Sequence, residues 1–97
     1  MAATPEKKVK DTVRKLLTER GIYHFMPAAN GFGRAGIPDI ICCFAGRFIA
    51  IECKAGKGTT TALQERELAA IRTAGGMAMV VNENNLQELK EKLQWMR

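Results

Sequence analysis

The sequence predicts an α/β domain whose elements run α-β-β-β-α-β-α, and three observations carry that expectation. Apolar residues recur at helical spacing in three segments, short β-branched or aromatic runs fill the intervals, and glycines mark the boundaries. Ninety-seven residues, 46% of them hydrophobic, suit one modest core. By surface-to-volume scaling such a chain buries roughly 60 to 70% of its unfolded surface. Residues 1–97 therefore read as one domain, with no linker, repeat or low-complexity segment.

From Pro5 to Arg20, Val9, Val13, Leu16 and Leu17 form a helical stripe that Gly21 terminates. Glu6 extends the stripe backwards, onto the edge of the core-facing side, while Lys7, Asp11, Arg14 and Thr18 take the wet face. Ile22 to Pro27 is short and aromatic, as an extended segment is. Pro38 to Phe44 and Phe48 to Lys54 read as strands around Ala45-Gly46, a two-residue hairpin turn. Thr61-Ala62-Leu63-Gln64 is a capping box opening a second helix, which continues through Leu68 and Ile71 to Gly75-Gly76. Met77 to Val81 reads as a buried strand. After Asn82 to Asn85, a last helix carries the stripe Leu86, Leu89, Leu93 and Met96.

Fifteen Lys and Arg against ten Asp and Glu leave a formal charge of +5, which favours a polyanionic partner. No stretch has the apolar length of a membrane span, and "MAATPEKKVK" lacks the apolar segment of a signal peptide, so the expectation is a cytoplasmic protein without membrane contact. Cys42, Cys43 and Cys53 are odd in number and form no Cys-x-x-Cys pair, which suggests buried reduced thiols rather than disulfides or structural zinc. His24, the only histidine, reads as a strand residue.

The stretch "NGFGRAGIPDI" holds Gly31, Gly33 and Gly36 at the spacing of a dinucleotide fingerprint, but that fingerprint needs a helix directly behind it. Pro38 holds Ile37 extended and a β-branched run follows, so no nucleotide cofactor is expected. The glycines instead remove bulk beside Asp39, where a large ligand would need close approach.

With Ala45 and Gly46 as the turn, Phe44 faces Arg47, and counting outward sets Asp39 across from Glu52. Alternation puts Lys54 on the Glu52 face and Ile49, Ile51 and Cys53 on the other. Opposed carboxylates in apolar surroundings repel unless a cation lies between them. A divalent metal such as Mg²⁺, which takes hard oxygen ligands, is one such cation. Lys54 bridging both acids as a simple ion pair is the other reading.

"GIPDI", then thirteen residues from Asp39 to Glu52, then "ECK", resembles the PD-(D/E)XK nuclease signature, and the first helix together with "T-x-x-Q" narrows the resemblance to the VRR-NUC family. The resemblance spans nearly the whole chain. It implies a restriction-endonuclease-like core with a mixed central sheet flanked by helices. The implied activity is a Mg²⁺- or Mn²⁺-dependent DNA endonuclease, hydrolysing phosphodiester bonds and selective for branched DNA such as four-way (Holliday) junctions. Under it Asp39 and Glu52 bind the metal, the Cys53 main-chain carbonyl adds a ligand, and Lys54 steers the attacking water or stabilises charge. Glu6 and Gln64 complete the site, as a further metal-side acid and a catalytic amide. Each also has a local explanation, Glu6 in the helix dipole and Gln64 in the capping box.

Lys7, Lys8, Lys10, Arg34 and Lys57 are candidate DNA phosphate contacts, with solvated charge as the default. The rival reading is a nuclease-like module that binds branched or duplex DNA without cutting, and the intact Asp39, Glu52 and Lys54 speak against it. Resolving a branched DNA takes two cuts, so a homodimer is expected. Trp95 lies off the apolar stripe of the last helix, where it either meets a partner or folds back onto its own domain.

Overall fold

The computed structural model describes residues 4–28 and 34–96. Thr4 caps helix α1 (Pro5–Glu19), its hydroxyl accepting from the Lys7 N–H at 3.1 Å, and Pro5 occupies a first-turn position where no N–H is required. Val9, Val13 and Leu17 are the buried side of α1. Strand β1 (Tyr23–Phe25) pairs antiparallel with β2 (Ile40–Phe44), and β2 pairs antiparallel with β3 (Arg47–Cys53). Helix α2 (Ala62–Thr73) then returns the chain, so that β4 (Met77–Val81) lies parallel to β3. Helix α3 (Leu86–Trp95) follows. The sheet is mixed, in the order β1-β2-β3-β4. The expected α/β class, element order and flanking helices are those observed.

Alternation along β3 divides the core in two. Ile49, Ile51 and Cys53 join Val9, Val13, Leu17, Met79, Val81, Leu89 and Leu93 under α1 and α3. On the opposite face Ala50 and Ala78 pack with Leu68 of α2, beside Ile41, Ile71 and Val80. Because α2 packs over the β3–β4 half of the sheet, the other half keeps an uncovered apolar strip. Tyr23, Cys43 and Phe48 lie side by side there, and Tyr23 meets Phe25 edge-on with ring centroids 6.3 Å apart. Cys43 is accordingly exposed, a correction to the expectation of three buried thiols, whereas Cys42 and Cys53 are buried. His24 is a strand residue as expected, its Nδ1 2.9 Å from the Ile22 carbonyl.

The hairpin register is the expected one, running from Phe44 opposite Arg47 to Ile40 opposite Ile51. Ala45 and Gly46 both take positive φ, 53° and 75°, the geometry that matches a two-residue turn to strand twist. Trp95 is 88% exposed, off the buried stripe of Leu89 and Leu93. Among the described residues no helix is long and apolar enough to cross a membrane.

Gly31 and Gly33 lie outside the described residues. Gly36 takes φ +79°, and a Cβ there would sit 2.5 Å from the Leu63 carbonyl carbon and 2.8 Å from the Gln64 nitrogen. Its missing side chain therefore serves a protein contact with the first turn of α2, where the sequence suggested room for a ligand. Strand β2, not a helix, follows it.

Gly36→Ala is expected to destabilise the protein by roughly 2–4 kcal/mol, combining left-handed strain with a backbone clash. Gly21→Ala, at φ +67° but with open space around it, is expected to cost about 1–2 kcal/mol. Urea denaturation of both variants checks the difference; equal losses would mean that the α2 contact adds nothing.

Candidate active site

Three elements converge at the end of the β2–β3 hairpin. Asp39, immediately ahead of β2, places Oδ2 2.8 Å from the Cys53 backbone N–H, so the acid is tied to the last residue of β3. Glu52, one residue earlier on β3, is only 3% exposed and faces the side of the sheet that carries α2. From that helix Gln64 donates its Nε2 hydrogen to Glu52 Oε2 at 3.0 Å. The same side chain's Oε1 accepts from the Thr61 N–H at 2.9 Å, and the Gln64 backbone N–H donates to the Thr61 hydroxyl at 3.2 Å. Gln64 thus closes the expected capping box and, through its other amide atom, reaches Glu52.

Lys54, with a side chain 14% exposed, sets Nζ 3.8 Å from Glu52 Oε2. Lys10 arrives from α1, with Nζ 3.3 Å from Asp39 Oδ1 and 3.8 Å from Glu6 Oε2. The expected Asp39, Glu52, Lys54 and Gln64 are therefore gathered. Glu6 stands behind Lys10 at the margin. Lys10 itself belongs to the site, where the sequence had placed it with the phosphate-contacting surface. A Glu-to-Lys spacing of four residues at the start of α1 was the signal for that pair, but nothing local pointed to Asp39.

Electrostatically the site is strained towards the negative. Three carboxylates face two ammonium groups. Burial above all, and then the adjacent Asp39 charge, push Glu52 up from 4.5 to about 8, against the opposing pull of Lys54. Glu52 Oε1 is buried with no hydrogen-bond partner. Burial works to lower Lys10, but the charge and contact of Asp39, backed by Glu6, outweigh it and leave the ammonium raised. Burial, with Asp39 and Glu52 adding to it, lifts the Cys53 thiol to about 12, so this side chain stays protonated and turned into the core.

These groups fit a hard divalent cation: two carboxyl groups at one strand end, an orphaned buried oxygen, and an acid whose proton a cation would displace. No thiolate or imidazole competes. Among the described residues no three acid, thiol or imidazole side chains gather closely enough to enclose a metal ion, so a cation here would draw the rest of its shell from backbone, water and substrate. A cleft of about 570 Å³ opens beside the site, between Thr4 with the first residues of α1, Pro5 and Glu6, and the segment from Lys54 to Thr59. Gly56 N–H in that segment donates to Glu83 at 2.6 Å, which ties it to the turn after β4.

The other basic candidates are dispersed. Lys7 pairs with Asp11 at 2.9 Å on the solvent side of α1. Arg34 donates to Glu67 at 2.8 Å, and that carboxylate is almost wholly buried in α2, a pairing the sequence reading missed because nothing near Glu67 marks it as buried. Lys8 and Lys57 are exposed.

A family model described as archaeal Holliday junction resolvase (Hjc) matches residues 6–81, a span that contains Glu6, Asp39, Glu52, Lys54 and Gln64. No curated protein matches the chain. The match supports the PD-(D/E)XK reading of "GIPDI" and "ECK"; the family that it names is Hjc, and the narrower VRR-NUC resemblance is no part of it. With this site on this fold, the chain belongs to the archaeal Holliday junction resolvase (Hjc) family of PD-(D/E)XK-type nucleases.

Proposed function

We propose that the protein is a Mg²⁺- or Mn²⁺-dependent endonuclease that hydrolyses phosphodiester bonds in branched DNA, four-way junctions foremost. The observation that carries this reading is the juxtaposition of Asp39, Glu52 and Lys54 with Glu52 Oε1 buried and unpartnered. Asp39, Glu52 and the Cys53 main-chain carbonyl would hold the metal, with Glu6 at its margin. When bound, the ion supplies Lewis-acid polarisation of the phosphate and a lowered pKa for bound water. The chain's own groups do the rest. Lys54 neutralises charge gathering on the phosphoryl oxygens, and Gln64 fixes the rotamer of Glu52 so that its free oxygen faces the site. The adjoining cleft seats the scissile strand, with Lys8, Lys57, Lys7 and Arg34 as phosphate contacts; Lys7 and Arg34 would exchange their present acidic partners for phosphate.

A non-cleaving binding module would have no use for a buried carboxyl group with one oxygen left unpartnered, which costs stability unless it serves chemistry. Incubation with labelled linear, nicked, flapped and four-way DNA, with and without Mg²⁺ or Mn²⁺, separates the two readings. Asp39→Ala, Glu52→Ala and Lys54→Ala are each expected to slow metal-dependent cleavage by about 100-fold or more while leaving DNA binding largely intact. Robust cutting by Asp39→Ala ends the assignment.

Glu52 also makes the metal-free protein sensitive to pH. In the folded state it keeps its proton to about pH 8, whereas in the unfolded chain it releases it near 4.5. The folded state therefore binds more protons between these values, and stability falls as pH rises through the window. In EDTA a loss on the order of 1–3 kcal/mol is expected between pH 5.5 and 8. Glu52→Gln should flatten that slope in urea titrations at the two pH values, and an unchanged slope would clear Glu52 of the effect.

A homodimer would present two equivalent sites to the two strands to be cut. Trp95, 88% exposed, supports an interface at the end of α3, and the uncovered strip of Tyr23, Phe25 and Phe48 offers a second. Sedimentation equilibrium is expected to show a dimer at micromolar concentration that Trp95→Ala weakens. An undisturbed dimer in that variant moves the interface to the strip, and a monomeric wild type ends the dimer claim.

A further inference from the structure

The two oxygens of Asp39 are held in different ways. Oδ2 accepts the Cys53 backbone N–H, a bond that fixes the acid to β3. Oδ1 meets the ammonium of Lys10 at 3.3 Å, at the end of a flexible four-carbon stem. The oxygen most available to an incoming cation is thus the one that Lys10 occupies. An ammonium and a divalent ion cannot both sit on it, because like charges a few ångströms apart in a partly buried site repel strongly. Lys10 also has somewhere to go. Glu6 lies four residues earlier on the same face of α1, already 3.8 Å from Nζ, in the favourable order of acid before base.

We propose that Lys10 is a built-in stand-in for the metal: its ammonium neutralises Asp39 while the site lacks a cation, and metal binding displaces it onto Glu6. This rests on the metal-dependent reading of the site given above. Glu6 then acts as the receiver of the displaced ammonium, a positioning residue, rather than as a metal ligand. The arrangement weakens metal binding by the work of moving Lys10. In return the metal-free protein never carries Asp39 and Glu52 side by side without a positive charge at hand. A purely supporting Lys10, needed to hold Asp39 in place for the metal, would have the opposite effect on affinity, which makes the sign of the change decisive.

Calorimetric titration with Mn²⁺ alone, on the full chain and without DNA, measures that sign. Lys10→Met and Lys10→Gln are both expected to bind Mn²⁺ roughly tenfold more tightly than wild type, and Lys10→Arg, which keeps the charge, to stay within about twofold. Glu6→Gln is expected to weaken Mn²⁺ binding severalfold in the wild type and to have no effect in the Lys10→Met background. Circular dichroism establishes that each variant is folded. Unchanged or weaker binding by both folded charge-removing variants would overturn the proposal. A Glu6→Gln loss of equal size in both backgrounds would make Glu6 a ligand and overturn its role as receiver. Asp39→Ala should abolish Mn²⁺ binding; if wild type and Lys10→Met both bind Mn²⁺ regardless of Asp39, or neither binds it, the metal reading itself fails and takes this inference with it.

Discussion

Because Ala45 and Gly46 both turn with positive φ, Phe44 stands opposite Arg47, and every pair back to Ile40 and Ile51 is set. That register decides which side chains of β3 enter the core. Ile49, Ile51 and Cys53 go under α1 and α3, and Glu52 goes to the face that carries α2. A slip of one residue would send Glu52 into the apolar cluster and turn Ile51 and Cys53 out of it, so apolar burial on one face and the polar contact of Glu52 with Gln64 on the other defend the same pairing. The site inherits its geometry from this constraint, since Asp39 finds the Cys53 N–H only when the hairpin ends in register.

Charge balance at the hairpin end is a second constraint, and the chain meets it with its own cations. Lys54 comes from β3's continuation and Lys10 from α1, each serving one of the two acids. What they leave uncompensated is settled on Glu52, which holds its proton far above the usual carboxylate range. A group with that proton is not ready to act as an anion at neutral pH, yet a divalent cation would favour its release. The same burial that makes Glu52 costly to the empty protein is what would make its charge effective towards a cation, since fields are less screened there.

The sequence made the local features legible. The capping box at Thr61, the two-residue turn and the helical stripes all depend on residues a few positions apart, and each appears where expected. Alternation then carried the reading from the turn to Asp39, Glu52 and Lys54. What stayed hidden depends on contacts between distant segments. Gly36 meets the backbone of α2's first turn, Lys10 reaches from α1 to Asp39, and Glu67 is buried against Arg34. Cys43 was misread for a related reason: its strand is apolar throughout, and only the placement of α2 tells which side is covered.

Gln64 shows how closely helix capping and the candidate site share residues in a chain of this size. Its amide oxygen belongs to the helix cap and its amide nitrogen to Glu52, so the start of α2 and the orientation of the acid are one structure. Gly36 lets the loop ahead of Asp39 lie directly on that same first turn. The segment entering β2 therefore touches the turn that steadies the acid on β3, closing a ring from Gly36 through Gln64, Glu52 and Cys53 back to Asp39. Within such a ring a shift at any member is felt at both carboxylates. That is how a small core, with few residues to spare for a separate supporting shell, can still hold two acids in a fixed relation.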